Sequence, residues 1–188
     1  LMDRLGGEAQ KLTEIDGGVS DYSWSPDSKK FVFTKSDKDP ADEPEKMEGW
    51  KRKTAPPVVL DRYHFKQDRD GYLKRFYTHV HVFDIAGKKL EQITTGQFED
   101  SSPVWSPDGT SIAYLSDATG EYQIHVAPQN GLGEVKKYDA GVKSFLYLYS
   151  WSPDGKKLLI RDAMLRLGIF DIAAAKATPP DVILLDIG

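Results

Sequence analysis

The chain has 188 residues, 39% of them hydrophobic and 29% charged, with a formal net charge of −4. That composition supports one domain, or part of a larger one, with a buried core, and it excludes a disordered chain. It also lacks three things: the basic field that nucleic acid selects, an apolar run of the roughly eighteen residues a membrane helix requires, and any cysteine for a disulfide or thiolate metal site.

The first residue is Leu1, and "LMDRLGGEAQKL" shows no basic-then-apolar leader, so the natural start is expected upstream. Absence of cysteine fits a cytoplasmic and a periplasmic location equally. From Leu1 to Thr13 the pattern reads as a strand, a Gly-Gly turn and a second strand, a half unit over 1–14. "DYSW" (Asp21–Trp24) then leads into "SPDS" and "KKFVF" (Lys29–Phe33). The same arrangement returns as "SPVW" (Ser102–Trp105), "SPDG" and "TSIAY", and again as "YLYSW" (Tyr147–Trp151), "SPDG" and "KKLLI".

Each Ser-Pro-Asp-Gly reads as a type I turn joining two strands. Pro26, Pro107 and Pro153 preset φ at the second position; Asp27, Asp108 and Asp154 bond nearby backbone; Gly takes the last position. Ser28 replaces that Gly in the first copy, at an expected cost of about 1 kcal/mol if the position needs positive φ.

A third and a fourth strand follow each hairpin. They are "HVHVFDI" and "KLEQIT" (Lys89–Thr94), "YQIHVA" and "EVKKYD" (Glu134–Asp139), then "LGIFDI" and "DVILLD" (Asp181–Asp186). The units therefore span 20–95 with an insert over 36–77, 102–139, and 147–187. Trp105 and Trp151 stand 46 residues apart, the length of one propeller blade of roughly 40–45 residues. Trp24 and Trp105 stand 81 apart, a blade plus an insertion of about 35 residues on the same scale.

The expected fold is all-β: a partial β-propeller of about three four-stranded antiparallel blades plus a half blade, with each Trp wedged between neighbours. A β-sandwich is the alternative, but it has no need of self-similar units. Three and a half blades leave open flanks, which predicts self-association.

The insert "SDKDPADEPEKMEGWKRKTA" (Ser36–Ala55) is too polar to pack a core. It reads as a surface loop or as a lip facing a partner domain. Its candidate substrate or partner contacts are Asp42, Glu43 and Glu45, which suit an amino terminus, and Trp50, which suits an anchor that docking buries.

Catalytic motifs are weak. "GTSIA" (Gly109–Ala113) lacks the last Gly of a nucleophile elbow, so Ser111 reads as a strand residue. His79 and His81 share a strand face, and packing beside Tyr77 and Phe83 explains them without a metal. "DRDG" (Asp68–Gly71) starts like a calcium loop, yet its twelfth position is His79, so a hairpin tip is preferred. "GLG" (Gly131–Gly133) is too short for a phosphate loop, and "KRK" (Lys51–Lys53) reads as solvated charge. No catalytic residue, metal ligand or cofactor is assigned.

"LT" with its Thr eleven positions ahead of the repeat Trp, "WSPDG" and "IAYLS" together resemble the TolB-like (PD40, WD40-like) propeller repeat. The stretch from Ala55 to Thr95 resembles the N-terminal propeller of the prolyl oligopeptidase (S9) family, in its dipeptidyl aminopeptidase and acylaminoacyl peptidase branch. Val59, Asp61, Phe65, Lys66, Asp68, Gly71 and Tyr72 carry that pattern. The resemblance implies a non-catalytic propeller that limits access to peptide-sized substrates for a C-terminal α/β-hydrolase domain, which holds the serine triad and is absent from this chain. The implied partners are that hydrolase domain and peptides. A TolB-like protein-binding propeller without enzymatic activity is the alternative, and a sensor repeat with a small ligand in its channel is a third.

Overall fold

The structure is a computed structural model describing residues 6–9, 11–15, 18–37, 54, 57, 60, 66–68, 71–72, 76–142 and 144–178. Its described residues form three four-stranded antiparallel sheets and one two-stranded hairpin. The first sheet joins β1 (Ser20–Trp24), β2 (Lys30–Ser36), β5 (Thr78–Asp84) and β6 (Lys89–Gln92) in that spatial order. Between β2 and β5 lies the hairpin of β3 (Lys66–Gln67) and β4 (Gly71–Tyr72), where Lys66 pairs with Tyr72.

The second sheet runs β7 (Asp100–Trp105), β8 (Ser111–Ser116), β9 (Gln123–Pro128), β10 (Lys136–Tyr138). The third runs β11 (Leu146–Trp151), β12 (Lys157–Asp162), β13 (Leu167–Asp171), β14 (Lys176–Thr178). Three consecutive meanders, stacked face to face, are the blades of a partial β-propeller.

The turns that nucleate each sheet are copies of one another in three dimensions. The N–H of Ser28, Gly109 and Gly155 donates to the carbonyl of Ser25, Ser106 and Ser152, each at 2.9 Å. Each of these serines donates its hydroxyl to the Asp two residues on, at 2.7, 2.6 and 2.5 Å. Its oxygen in turn accepts the N–H of the residue opening the next strand, at 2.9 Å in all three copies. φ at the last turn position is 58° for Ser28, 71° for Gly109 and 69° for Gly155. Four residues separate each turn serine from the residue it pairs with, and a four-residue loop built around a type I turn, here with its third residue left-handed, is a common hairpin connection.

Each innermost strand also carries a one-residue bulge ahead of its Trp, between Ser20 and Ser23, Ser101 and Val104, and Leu148 and Ser150. A bulge bends and twists the strand. Here it sends the Trp toward the preceding sheet while the residue before it faces the following one. Trp105 packs with Val32, Val80 and Val82 of the first sheet and Ile112, Tyr114 and Ala127 of its own. Trp151 packs on the cluster of Ala113, Leu115, Ile124, Leu148, Leu158, Ile160 and Phe170, and its Nε1 donates to the Val104 carbonyl at 3.2 Å.

Trp24 has no preceding sheet among the described residues. It stays 39% exposed against 6% for Trp105 and leans on Phe31, with ring centroids 5.8 Å apart. The turns stack as well: a Cβ on Gly109 would lie 3.6 Å from Pro26, and one on Gly155 would lie 3.8 Å from Pro107.

Two details differ from the sequence expectation. The outer strand of the third sheet is Lys176–Thr178, pairing through Phe170 and Ala177, whereas 181–186 lie outside the described residues. The local cause is a turn in which Asp171 Oδ1 accepts the Ala174 N–H at 2.9 Å and Ala175 takes φ 50°, returning the chain at once. At the start of the chain, the described residues of the expected half unit form no strand. They contribute Leu12, which with Ile15 covers the Phe31, Phe33 and Phe83 cluster.

Candidate functional site

The sheets present two ends. At one end the three Ser-Pro-Asp turns form a rim, with Pro26, Asp27, Pro107, Asp108, Pro153 and Asp154 exposed. The carboxyls of Asp27, Asp108 and Asp154 are all held below the ordinary aspartate value, first by the neighbouring serine hydroxyl and then by a backbone N–H. The rim is therefore a fixed row of ionised carboxylates. Between the second and third turns it opens into a groove of about 510 Å³ lined by Asp108, Lys136, Tyr138, Trp151 and Asp154. The matching gap between the first and second turns holds about 250 Å³, and Lys30 Nζ reaches across it to Gln129 Oε1 at 3.4 Å.

At the other end stands the root of the insert. Asp37 directly follows β2, and its N–H donates to Tyr77 O at 2.8 Å, closing the base of the 38–76 excursion. His79 is buried between two carboxylates, with Nε2 at 3.3 Å from Asp37 Oδ2 and Nδ1 at 3.4 Å from Asp100 Oδ2 of the second sheet. Glu99 Oε2 accepts the Thr78 N–H at 2.9 Å, and Asp117 Oδ1 accepts the Glu99 N–H at 2.7 Å. Burial pushes the carboxyls of Glu99 and Asp100 up; the hydroxyls of Thr94 and Ser116 and the His79 ring oppose it at Asp100. The insert is thus anchored by polar contacts across the seam between two sheets.

Among the described residues these contacts form no reacting pair. His79, His81 and His125 hydrogen-bond to carboxylate, carbonyl and amide oxygens, and among the described residues none reaches a serine hydroxyl. Burial lowers the His81 ring and lowers that of His125 to about 4, so both are neutral at pH 7. Ser111 opens β8, with its N–H on Ser106 Oγ. Among the described residues no group of three His, Asp or Glu side chains is placed to hold a metal ion.

Gly131 and Gly133 sit in the β9–β10 connection at φ 67° and 122°. Asp68 lies at the tip of the β3–β4 hairpin. His79 and His81 are packed, as their strand position implies, but the reach of His79 to Asp100 joins residues far apart in sequence and was not legible there. Asp42, Glu43, Glu45 and Trp50 lie outside the described residues, as do Lys51, Arg52 and Lys53.

Repeated four-stranded meanders with Trp side chains interleaved between them define the fold as a segment of a β-propeller, like those of TolB structures. No family model matches the chain. Over 121 residues, 63% of the chain, it is 29% identical to a protein of Bacillus subtilis (strain 168) described as "Uncharacterized peptidase YuxL", and the match spans 18% of that protein's length. Its fold is similar to a putative TolB from Agrobacterium tumefaciens, at a TM-score of 0.60 and 19% identity over 93% of this chain and 52% of that one. It is similar also to the acylaminoacyl peptidase of Pyrococcus horikoshii, at a TM-score of 0.62 and 20% identity over 99% of this chain and 28% of that one. The chain therefore spans about half, or much less, of the proteins it resembles.

Proposed function

We propose that this chain is a non-catalytic propeller segment of an S9-type serine peptidase, gating and orienting peptide substrates for a C-terminal α/β-hydrolase domain. The observation that carries the reading is the insert. A plain propeller repeat has no need of an excursion between its second and third strands, and this one carries the β3–β4 hairpin and is tied down by Asp37, His79 and Asp100. The likeness to a described peptidase supports it. In this reading Asp42, Glu43 and Glu45 meet a substrate amino terminus and Trp50 anchors the insert on the hydrolase domain.

The test uses a serine-reactive fluorophosphonate on the natural full-length polypeptide and on this chain. The full polypeptide is expected to be labelled within a hydrolase domain, and this chain is expected to stay unlabelled. Labelling of a serine within residues 1–188, or no labelling of the full polypeptide, overturns the proposal. Unchanged cleavage after replacing Asp42, Glu43 and Glu45 removes their assigned role.

A second reading is a TolB-like protein-binding propeller without enzymatic activity. The open rim groove beside Trp151 and Tyr138 favours it. An open reading frame that lacks a hydrolase domain selects it. The exposed flanks of the first and third sheets also carry an expectation of self-association.

A further inference from the structure

The two seams between sheets can be compared residue by residue at the end where the Ser-Pro-Asp turns stand. Lys30 and Ser111 take the same place in β2 and β8, opposite Asp84 and Pro128. Gln129 and Ile172 take the same place after β9 and β13, donating their N–H groups to Thr110 O and Lys156 O at 3.0 Å. At the first seam Lys30 and Gln129 therefore face each other, and their side chains meet across the gap at 3.4 Å. At the second seam the same two places hold Ser111 and Ile172, which cannot make that bridge. The gap there is about 510 Å³, against about 250 Å³ at the first.

The open groove has an apolar floor of Val126, Tyr138, Trp151 and Ile172, all half-buried against the cluster shared by the second and third sheets. Two of these rings are fixed from behind. Trp151 Nε1 is bonded to Val104 O, and the Tyr138 ring packs edge-on against Phe170 with centroids 5.5 Å apart. Asp108 and Asp154, both ionised, stand on the turn side, and exposed Lys136 stands on the strand side. Asp154 Oδ1 accepts the Ser152 hydroxyl and the Lys156 N–H, while its Oδ2 has no hydrogen-bond partner among the described residues. The place of Lys136 is taken at the first seam by Glu91, which is paired with Lys89 at 2.6 Å. The groove is thus a property of the second seam and not of the repeat.

We propose that this groove binds an extended peptide segment of a protein partner through an arginine side chain. The stem lies on Trp151 and Tyr138, the guanidinium faces the Asp108 and Asp154 wall, and Lys136 receives an acidic residue of the same segment. An apolar floor beside a carboxylate suits a side chain with an apolar stem and a charged head. Arginine suits it better than lysine, because its planar cation stacks on aromatic faces and matches a carboxylate with two parallel N–H groups. The inference rests on the groove and stands whether or not the parent polypeptide is a peptidase.

The test selects binders from short random peptides displayed on phage, using the natural full-length polypeptide after fluorophosphonate treatment, and titrates them by fluorescence polarisation. The selected peptides are expected to share an arginine, and its replacement by glutamine is expected to weaken binding at least about tenfold. Ser111→Lys combined with Ile172→Gln rebuilds at the second seam the bridge of the first, and is expected to abolish binding. A photo-crosslinking residue in place of Lys136 gives a second readout that does not depend on the folding of that variant, and the peptide is expected to attach there. Four outcomes overturn the proposal: no peptide selected, binding that does not depend on the arginine, binding that survives in a folded Ser111→Lys, Ile172→Gln variant, or no attachment at position 136.

Discussion

Ser28→Gly is expected to stabilise the protein. Ser28 sits at φ 58° where the two equivalent turns place Gly109 and Gly155 at 71° and 69°. A side chain in the left-handed region costs about 1–2 kcal/mol, and removing it recovers that. Glycine returns about 0.4–1 kcal/mol through the greater freedom of its unfolded chain. The net gain is on the order of 0.5–1 kcal/mol, because Ser28 is exposed and none of the turn's side-chain hydrogen bonds uses its hydroxyl. At this chain length such a change moves the melting temperature by roughly 1–4 °C. Urea denaturation followed by Trp fluorescence and circular dichroism reads it as a raised midpoint at constant slope. Gly109→Ala is the mirror test: its Cβ meets Pro26 at an ordinary 3.6 Å, so conformational strain alone should destabilise by a similar amount. A neutral or destabilising Ser28→Gly alongside a neutral Gly109→Ala would refute the claim that this position selects glycine for its backbone.

Three further outcomes follow from the seams between sheets. Trp151→Phe removes the Nε1 bond to Val104 O and should cost about 1 kcal/mol more than Trp105→Phe, whose Nε1 is buried without a partner among the described residues; equal losses in urea midpoint speak against it. The His125 ring, lowered to about 4 by burial and then by Lys137, should stay neutral in NMR titration down to that pH. The unfolded ring takes its proton near 6.5, so the His125 contribution to stability is complete above that pH and is lost as pH falls toward 4; a ring that titrates near 6.5 in the folded protein contradicts this. Asp100 has the opposite sign. Its raised folded value means that its contribution is present at acid pH and declines as pH rises through that value, so Asp100→Asn should flatten this part of the stability profile.

The hairpins were legible because their turn residues have one local job each. Pro26, Pro107 and Pro153 preset φ, the following Asp closes the turn, and the flanking strands read directly from apolar residues. The outer strand of the third sheet was less legible because "DVILLD" outweighs "KAT" in β-branched content. A second turn signal identifies it. "DIAGKK" and "DIAAAK" stand after equivalent strands, Asp84 and Asp171 each accept the N–H three residues on, and Lys88 and Ala175 take φ 49° and 50°. Turn chemistry decides where the chain returns; propensity does not. The His79–Asp100 contact could not be read in advance, since it depends on how one sheet is rotated against the next.

Shared turns and differing seams divide the work of holding the sheets together. The repeat sets the spacing of sheets through Trp105 and Trp151 and the stacking of turns through Pro26 on Gly109 and Pro107 on Gly155. The seams then differ by their own residues. Asp100 on His79 is polar, buried and next to the insert root; Leu146 on Leu115 is apolar. An apolar seam supplies burial and tolerates sliding, whereas a buried carboxylate–imidazole contact has a fixed geometry and punishes displacement. The polar seam lies at the root of the insert, where His79 ties Asp37, next to β2, to Asp100 of the second sheet. If Asp100→Asn and His79→Gln leave the amide exchange of Thr78 and Asp37 unchanged, the insert is held by its backbone alone and this division of labour is wrong.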